Sequence, residues 1–228
     1  MTLRGSSLGE PVVVAREPVF TEVCVPVVAD EPVVADELDT AGAVSSMTMI
    51  TSSPGRRSVS TIVWPPEPIV IRLVLGRPHA VTAVTPPPRK PGLVAEDNAV
   101  VVLSYPSALG LLEASWTQIG GEPAFAMVVY GEDGTLLVHQ PRPTREGAGA
   151  GRVQLVTRDG SRIVDPPPLP PSERDGPTHF LSCASAGRAV TGFCAADVGC
   201  DVQEVIAAGQ RASAMGRRVE LPLQQGPA

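Results

Sequence analysis

Ala99-Val100-Val101-Val102-Leu103-Ser104-Tyr105-Pro106-Ser107-Ala108-Leu109-Gly110-Leu111-Leu112-Glu113-Ala114-Ser115-Trp116-Thr117 is the stretch on which the fold turns. Ala99–Tyr105, rich in valine, and Ala108–Thr117 read as strands, and Pro106-Ser107 between them leaves room only for a short turn. Proline has no backbone donor to continue a ladder. A connection this short makes the two strands antiparallel neighbours. The same grammar repeats downstream. Phe125–Tyr130 and Thr135–His139 flank Glu132-Asp133-Gly134, a hairpin turn. Arg152–Thr157 and Ser161–Val164 flank Asp159-Gly160, a pair suited to a two-residue turn with positive φ values. Upstream, Ala80–Thr85 reads as a strand stopped by Pro86-Pro87-Pro88. At least six strands joined mostly by tight turns predict an antiparallel or mixed sheet.

Ile69-Val70-Ile71-Arg72-Leu73-Val74-Leu75, ending at Gly76, is too short and too apolar for periodicity to choose between helix and strand. Two helices close the chain. Asp175-Gly176-Pro177-Thr178 supplies a cap and an early proline, and Gly187 a stop. The second helix opens near Asp197 and stops at Gly216, with Val198, Val202, Val205, Ile206, Ala212 and Met215 at helical spacing, so one face can lie on a sheet. The predicted fold class is α+β: an antiparallel or mixed sheet with helices packed on one face. Pro166–Pro171 reads as a stiff crossing from sheet to helix, and Gly147–Gly151 as a Gly/Ala linker between hairpins.

Residues 1–60 lack such order. Val12-Val13-Val14 and Pro18-Val19-Phe20 are β-like, but prolines and acids interrupt the valines from Val25 to Val34. Ser45–Ser60 is Ser/Thr/Met-rich with no period, so 35–60 is expected to be loop or poorly ordered. The 25 prolines in 228 residues are about twice the usual frequency of roughly 5%. A net charge of −6 gives nucleic acid and anionic membrane nothing to hold. No apolar run reaches the roughly 20 residues of a membrane span. Met1–Glu10 has no charged-then-apolar leader pattern, so the expected location is the cytoplasm. Cys24, Cys183, Cys194 and Cys200 show no Cys-x-x-Cys or zinc-finger spacing and are expected to be thiols, with no metal site. His79 in a turn and His139 at a strand end read as surface groups. His179, in the first turn of a helix, is the substrate-binding candidate, a structural hydrogen bond being its commoner role. Trp116 reads as core or interface, and Lys90 as a solvated loop charge.

From Asp97 to Leu223 the chain resembles the C-terminal domain of the Gfo/Idh/MocA oxidoreductases. The carriers of the resemblance are Ala108–Trp116, Val129-Tyr130-Gly131-Glu132-Asp133-Gly134-Thr135-Leu136, Gly176-Pro177-Thr178-His179-Phe180, Asp201–Val205 through Ala212-Ser213-Ala214, and Gly216–Pro222. The resemblance implies a dihydrodipicolinate-reductase-like domain over 61–224, with 1–60 a remnant of the end of a dinucleotide-binding domain and 225–228 a tail. Arg72–Pro78 is similar to the segment after the family's Asp-x-Gly-x-His region, where this chain has Val63-Trp64-Pro65-Pro66-Glu67. Pro18–Glu22 is similar to the strand entering the Glu-Lys-Pro motif. Glu22 is in place, a cofactor-binding candidate by resemblance, but Val23 and Cys24 hold the lysine and proline positions.

Hydride transfer needs a held nicotinamide and a group to move the alcohol proton. The resemblance implies NAD or NADP, yet no Gly-x-Gly-x-x-Gly opens a helix and neither the lysine nor the histidine is present, so no catalytic residue is assigned. The expected function is a truncated, catalytically impaired oxidoreductase homologue that retains the substrate and oligomerisation domain. The alternatives are an active dehydrogenase completed by a partner chain or by upstream sequence, and a non-catalytic sugar-binding or scaffold domain. The family often builds its subunit interface on the open sheet face, so the expected partner is a second copy or a full-length paralogue.

Overall fold

The computed structural model describes residues 44–52, 66–88, 96–115, 127–139, 143–144, 147–148, 152–164 and 168–223. Their strands are β1 (Val44–Ser52), β2 (Ala80–Val84), β3 (Asn98–Ser104), β4 (Leu109–Ser115), β5 (Met127–Gly131), β6 (Gly134–His139), β7 (Pro143–Thr144), β8 (Gly147–Ala148), β9 (Arg152–Thr157), β10 (Gly160–Val164) and β11 (Val219–Glu220). The helices are α1 (Pro66–Leu75), α2 (Gly176–Ser185) and α3 (Ala196–Met215), with a 3-10 turn at Gly192–Cys194. Nine strands form one sheet in the order β10-β9-β6-β5-β1-β4-β3-β2-β11, while β7 and β8 pair separately. Every described pairing in the large sheet is antiparallel except β1 with β4. The fold is the α+β design expected.

Strand alternation sorts the two faces of the sheet. Val81, Leu103 and Gly110 stand in register across β2, β3 and β4, and Val129, Leu136 and Leu155 across β5, β6 and β9. Met47 of β1 pairs with Gly110 on one side and Val129 on the other, completing the row. The side chains of Val81, Leu103, Val129, Leu136 and Leu155 are all buried. Val84, Val100, Leu109, Tyr130 and Ile163 belong to the opposite face and are exposed.

The run that periodicity left undecided is α1. Packing decides it: Ile71 is fully buried, and its Cγ2 lies 3.2 Å from where a Cβ on Gly110 would sit. The missing side chain at 110 lets the helix settle onto β4. Gly76, at φ 76°, then takes a conformation in which other residues are strained, and the helix ends. α3 lies over β2 and against α1. Its buried residues Val198, Val202, Val205, Ile206, Ala208, Gly209 and Ala212 form the helical stripe, and Gly216 at φ 60° closes it. α2 packs chiefly on the 3-10 turn, outside the sheet-covering pair.

Four expectations change. The loop assigned to 35–60 is, over Val44–Ser52, a strand with neighbours on both sides. The β9–β10 turn is Arg158-Asp159, because Thr157 pairs with Gly160. Gly160 alone takes a positive φ there (135°), so the chain makes the reversal one residue earlier than an Asp-Gly turn would. Met215 keeps helical spacing but is exposed, since it is the last residue of α3 and lies beyond the surface the helix covers. Part of the Gly/Ala linker, Gly147–Ala148, forms a short strand.

Two glycines make opposite predictions. A Cβ on Gly134 would stand 2.9 Å from the backbone oxygen of Val156, which cannot move without disturbing the β6–β9 ladder. Gly134→Ala should therefore destabilise the fold by about 1–3 kcal/mol. Gly199, in α3, has nothing within 4 Å. Gly199→Ala should stabilise by roughly 0.5–1 kcal/mol. Urea unfolding of the two variants against the parent chain measures both.

Candidate functional site

The polar side chains that converge from distant parts of the chain lie where α1 meets α3. Asp201 and Glu204 stand three residues apart on α3 and so share a face. Arg72, from the last turn of α1, donates to Asp201 at 2.6 Å. Arg77 reaches Asp201 at 3.1 Å and Glu204 at 2.7 Å. Glu204 also accepts the backbone N–H of Leu223 at 2.7 Å, which ties the end of the described chain to α3. Asp201 is the better shielded acid, its side chain 13% exposed, whereas Arg77 is 54% exposed. Two arginines on two acids balance, so the cluster is a clasp rather than a charged cavity.

Beside it, Tyr105 is buried and donates its hydroxyl to the carbonyl of Gly76 at 3.3 Å. Burial pushes its phenol well above the ordinary range, against the smaller opposing pull of Arg72. The group stays protonated and cannot serve as a base near neutrality. Thr85 and Ser213 share a 2.5 Å hydroxyl contact that fixes the end of β2 to α3.

At the other end of the helix layer, Asp175 caps α2 by accepting the N–H of Thr178 at 2.8 Å. His179 follows in that helix, half-buried, with Nε2 3.7 Å from Sγ of Cys183. His79 is not the solvated group expected. It is half-buried, its Nδ1 lies out of solvent without a hydrogen-bond partner, and its backbone is tied to Ser104 and Leu221. His139 is half-buried at the end of β6, opposite Arg152. Glu22, Val23, Cys24, Trp64, Lys90 and Trp116 lie outside the described residues. Cys183, Cys194 and Cys200 are free thiols. Among the described residues, no group of three or more His, Cys, Asp or Glu is placed to hold a metal ion, and no helix is long and apolar enough to cross a membrane.

Among the described residues, neither α2 nor α3 offers a mount for a nicotinamide dinucleotide. Its pyrophosphate needs a glycine-rich turn leading from a strand into a helix N-terminus. α2 follows the turns at Pro171–Asp175, and α3 follows the 3-10 turn. Gly147 lies in β8, which pairs with β7. The polar groups of the clasp hold the helix layer together.

Residues 70–137 match the model of the GFO/IDH/MocA C-terminal domain, so the resemblance carried by the motifs of β4 and the β5–β6 hairpin is borne out. Among curated protein sequences, none matches the chain at a significant level. Solved structures agree on the fold. A Klebsiella pneumoniae protein classed as an oxidoreductase has a TM-score of 0.63 at 19% identity, covering 83% of this chain and 58% of its own. An oxidoreductase from Agrobacterium radiobacter, in complex with NAD+, L-tartaric acid and magnesium, has 0.57 at 19%, covering 81% and 58%. The aldose-aldose oxidoreductase from Caulobacter crescentus, with glycerol, has 0.59 at 20%, covering 83% and 59%. The chain thus spans 58–59% of the length of these three structures.

The clasp and the cap are testable separately. Asp201→Asn leaves two arginines facing a neutral amide and should cost about 1–2 kcal/mol, between the values of exposed and buried pairs. The Thr178 hydrogen bond, first among the causes, lowers the Asp175 pKa below its ordinary 3.8. A lowered folded-state value means that the cap's contribution is present above the ordinary aspartate pKa and is lost as pH falls through the folded one. Asp175→Ala should therefore lower Tm at pH 7 while Asp175→Asn, which keeps an acceptor, lowers it less. The gap between Asp175→Ala and the parent should narrow as pH falls below the ordinary aspartate value of 3.8. Thermal melts on either side of that value check this.

Proposed function

We propose that this chain is the substrate-and-association half of an oxidoreductase of the Gfo/Idh/MocA kind, without hydride transfer of its own. The observation that carries the reading is the one-sided sheet: helices on one face, and Val84, Val100, Leu109, Tyr130 and Ile163 exposed on the other. An apolar sheet face of this extent favours a partner. The occupant proposed is a second copy, with a full-length paralogue as the other form of the same association. Val23 in the lysine position, and a sequence in which no Gly-x-Gly-x-x-Gly occurs, support the catalytic part of the proposal. NAD or NADP, which the Agrobacterium neighbour's complex illustrates, would then be held by a partner chain. His179 and Glu22 are the substrate-side and cofactor-side contacts this chain would contribute. The three cysteines among the described residues are free thiols, which suits a reducing compartment such as the cytoplasm.

Light scattering after size exclusion should give a multiple of 23.7 kDa, and Leu109→Glu with Tyr130→Glu should return it to that mass. A monomer for the parent chain at high concentration overturns the association. Titration of the chain alone with NADH or NADPH should leave nicotinamide fluorescence unchanged. Saturable enhancement would instead show a dinucleotide site in this polypeptide and favour the active-dehydrogenase reading.

A further inference from the structure

Two thiols and an imidazole converge on one stripe of α2. Gly176, His179 and Cys183 are spaced three and four residues apart, which places them on one helix face. Cys183 is 1% exposed. Its sulfur leans back toward the helix N-terminus, as helical side chains do, to within 3.7 Å of His179 Nε2. Cys194 arrives on the same stripe from the 3-10 turn. Its Sγ donates to the carbonyl of Gly176 at 3.6 Å, and lies 3.3 Å from where a Cβ on that glycine would sit. Gly176 and Cys183 lie about two turns apart on that face, so both sulfurs are held along one stripe, with Cys194 at its N-terminal end. Burial raises the Cys194 thiol pKa, and the neighbouring Cys183 adds to the rise. The segment joining the two cysteines has Gly187 (φ 62°) and Gly192 (φ 61°) at its ends, two positions where backbone torsion can change at little cost.

We propose that Cys183 and Cys194 are a redox-active dithiol that a hydroperoxide converts to an intramolecular disulfide, with His179 accepting the proton of Cys183. Cys194, the more accessible thiol, attacks as thiolate on the outer peroxide oxygen. An S–O bond forms, the O–O bond breaks, and the alkoxide or hydroxide leaves with the thiol's proton as alcohol or water. Cys183 gives its proton to His179 and attacks Cys194 Sγ. The S–S bond forms, the S–O bond breaks, and hydroxide leaves as water with the proton that His179 returns. Two thiols lose two electrons, and one peroxide is reduced. A raised thiol pKa makes the first step slow, which suits a response to sustained oxidant rather than peroxide turnover. The 3-10 turn touches α1, α2 and α3, so drawing Cys194 toward Cys183 acts on the whole helix layer.

The experiment treats the reduced full chain with stoichiometric hydrogen peroxide, then alkylates and maps peptides by mass spectrometry. The expected result is the loss of two alkylatable thiols, one peptide pair joining residues 183 and 194, an unchanged chain mass on a non-reducing gel, and reversal by dithiothreitol. Cys200→Ser should keep the pair. Cys194→Ser, at a half-exposed site that leaves the core intact, should leave Cys183 fully alkylatable after unfolding. His179→Asn should slow bridge formation at least fivefold. A predominant bridge through Cys200 or Cys24, a bridge between chains, or accumulation of Cys194 sulfinic acid overturns the dithiol. A rate unchanged in His179→Asn overturns the role of the imidazole.

Discussion

The sheet depends on the backbone ladder of β1. β4 and β5 follow one another along the chain yet do not pair. β1 lies between them, parallel to β4 from Ser46–Leu109 to Ser52–Ser115, and antiparallel to β5 from Val44–Gly131 to Met49–Met127. On one side stand β2, β3, β4 and β11, on the other β5, β6, β9 and β10. Without β1, each group would end in an unsatisfied strand edge in the middle of the protein, with polar backbone groups and no partners. The β1–β5 ladder carries a register shift between Val44 and Ser46.

The helix layer then makes the two faces unequal. α1 approaches because residue 110 has no side chain, α3 lies beside it on β2, and the arginine–acid clasp holds the two helices to one another. Arg72, Arg77, Asp201 and Glu204 are engaged in holding it together. What remains outward is an apolar sheet face, on which the proposed association rests, and α2 with its thiols.

Most of the fold was legible because most of it is local. The hairpins announced themselves through alternation and turn residues, and α3 through its stripe and Gly216. β1 did not, because Val44-Ser45-Ser46-Met47-Thr48-Met49-Ile50-Thr51-Ser52 has weak alternation and no hairpin partner beside it. Its strand character comes from backbone partners far along the chain. α1 was undecided for a related reason: what settles Ile69–Leu75 is a gap at Gly110, not its own pattern. At the candidate site, the clasp joins residues more than 120 apart in sequence (|i−j| 127 and 129), which no local spacing reports. The meeting of His179 with Cys183 could have been read, since four residues on a predicted helix are one turn. The arrival of Cys194 could not, as it depends on the path after Gly187.

The position of β1 also bears on the order of assembly. The β3–β4 and β5–β6 pairs are local and can close early at small entropic cost. β1 lies well upstream of both, and its two ladders are long-range, as is the pairing of β2 with β11. Reaching the native topology then includes a threading event, in which a segment with no hairpin partner beside it finds a slot between two meanders.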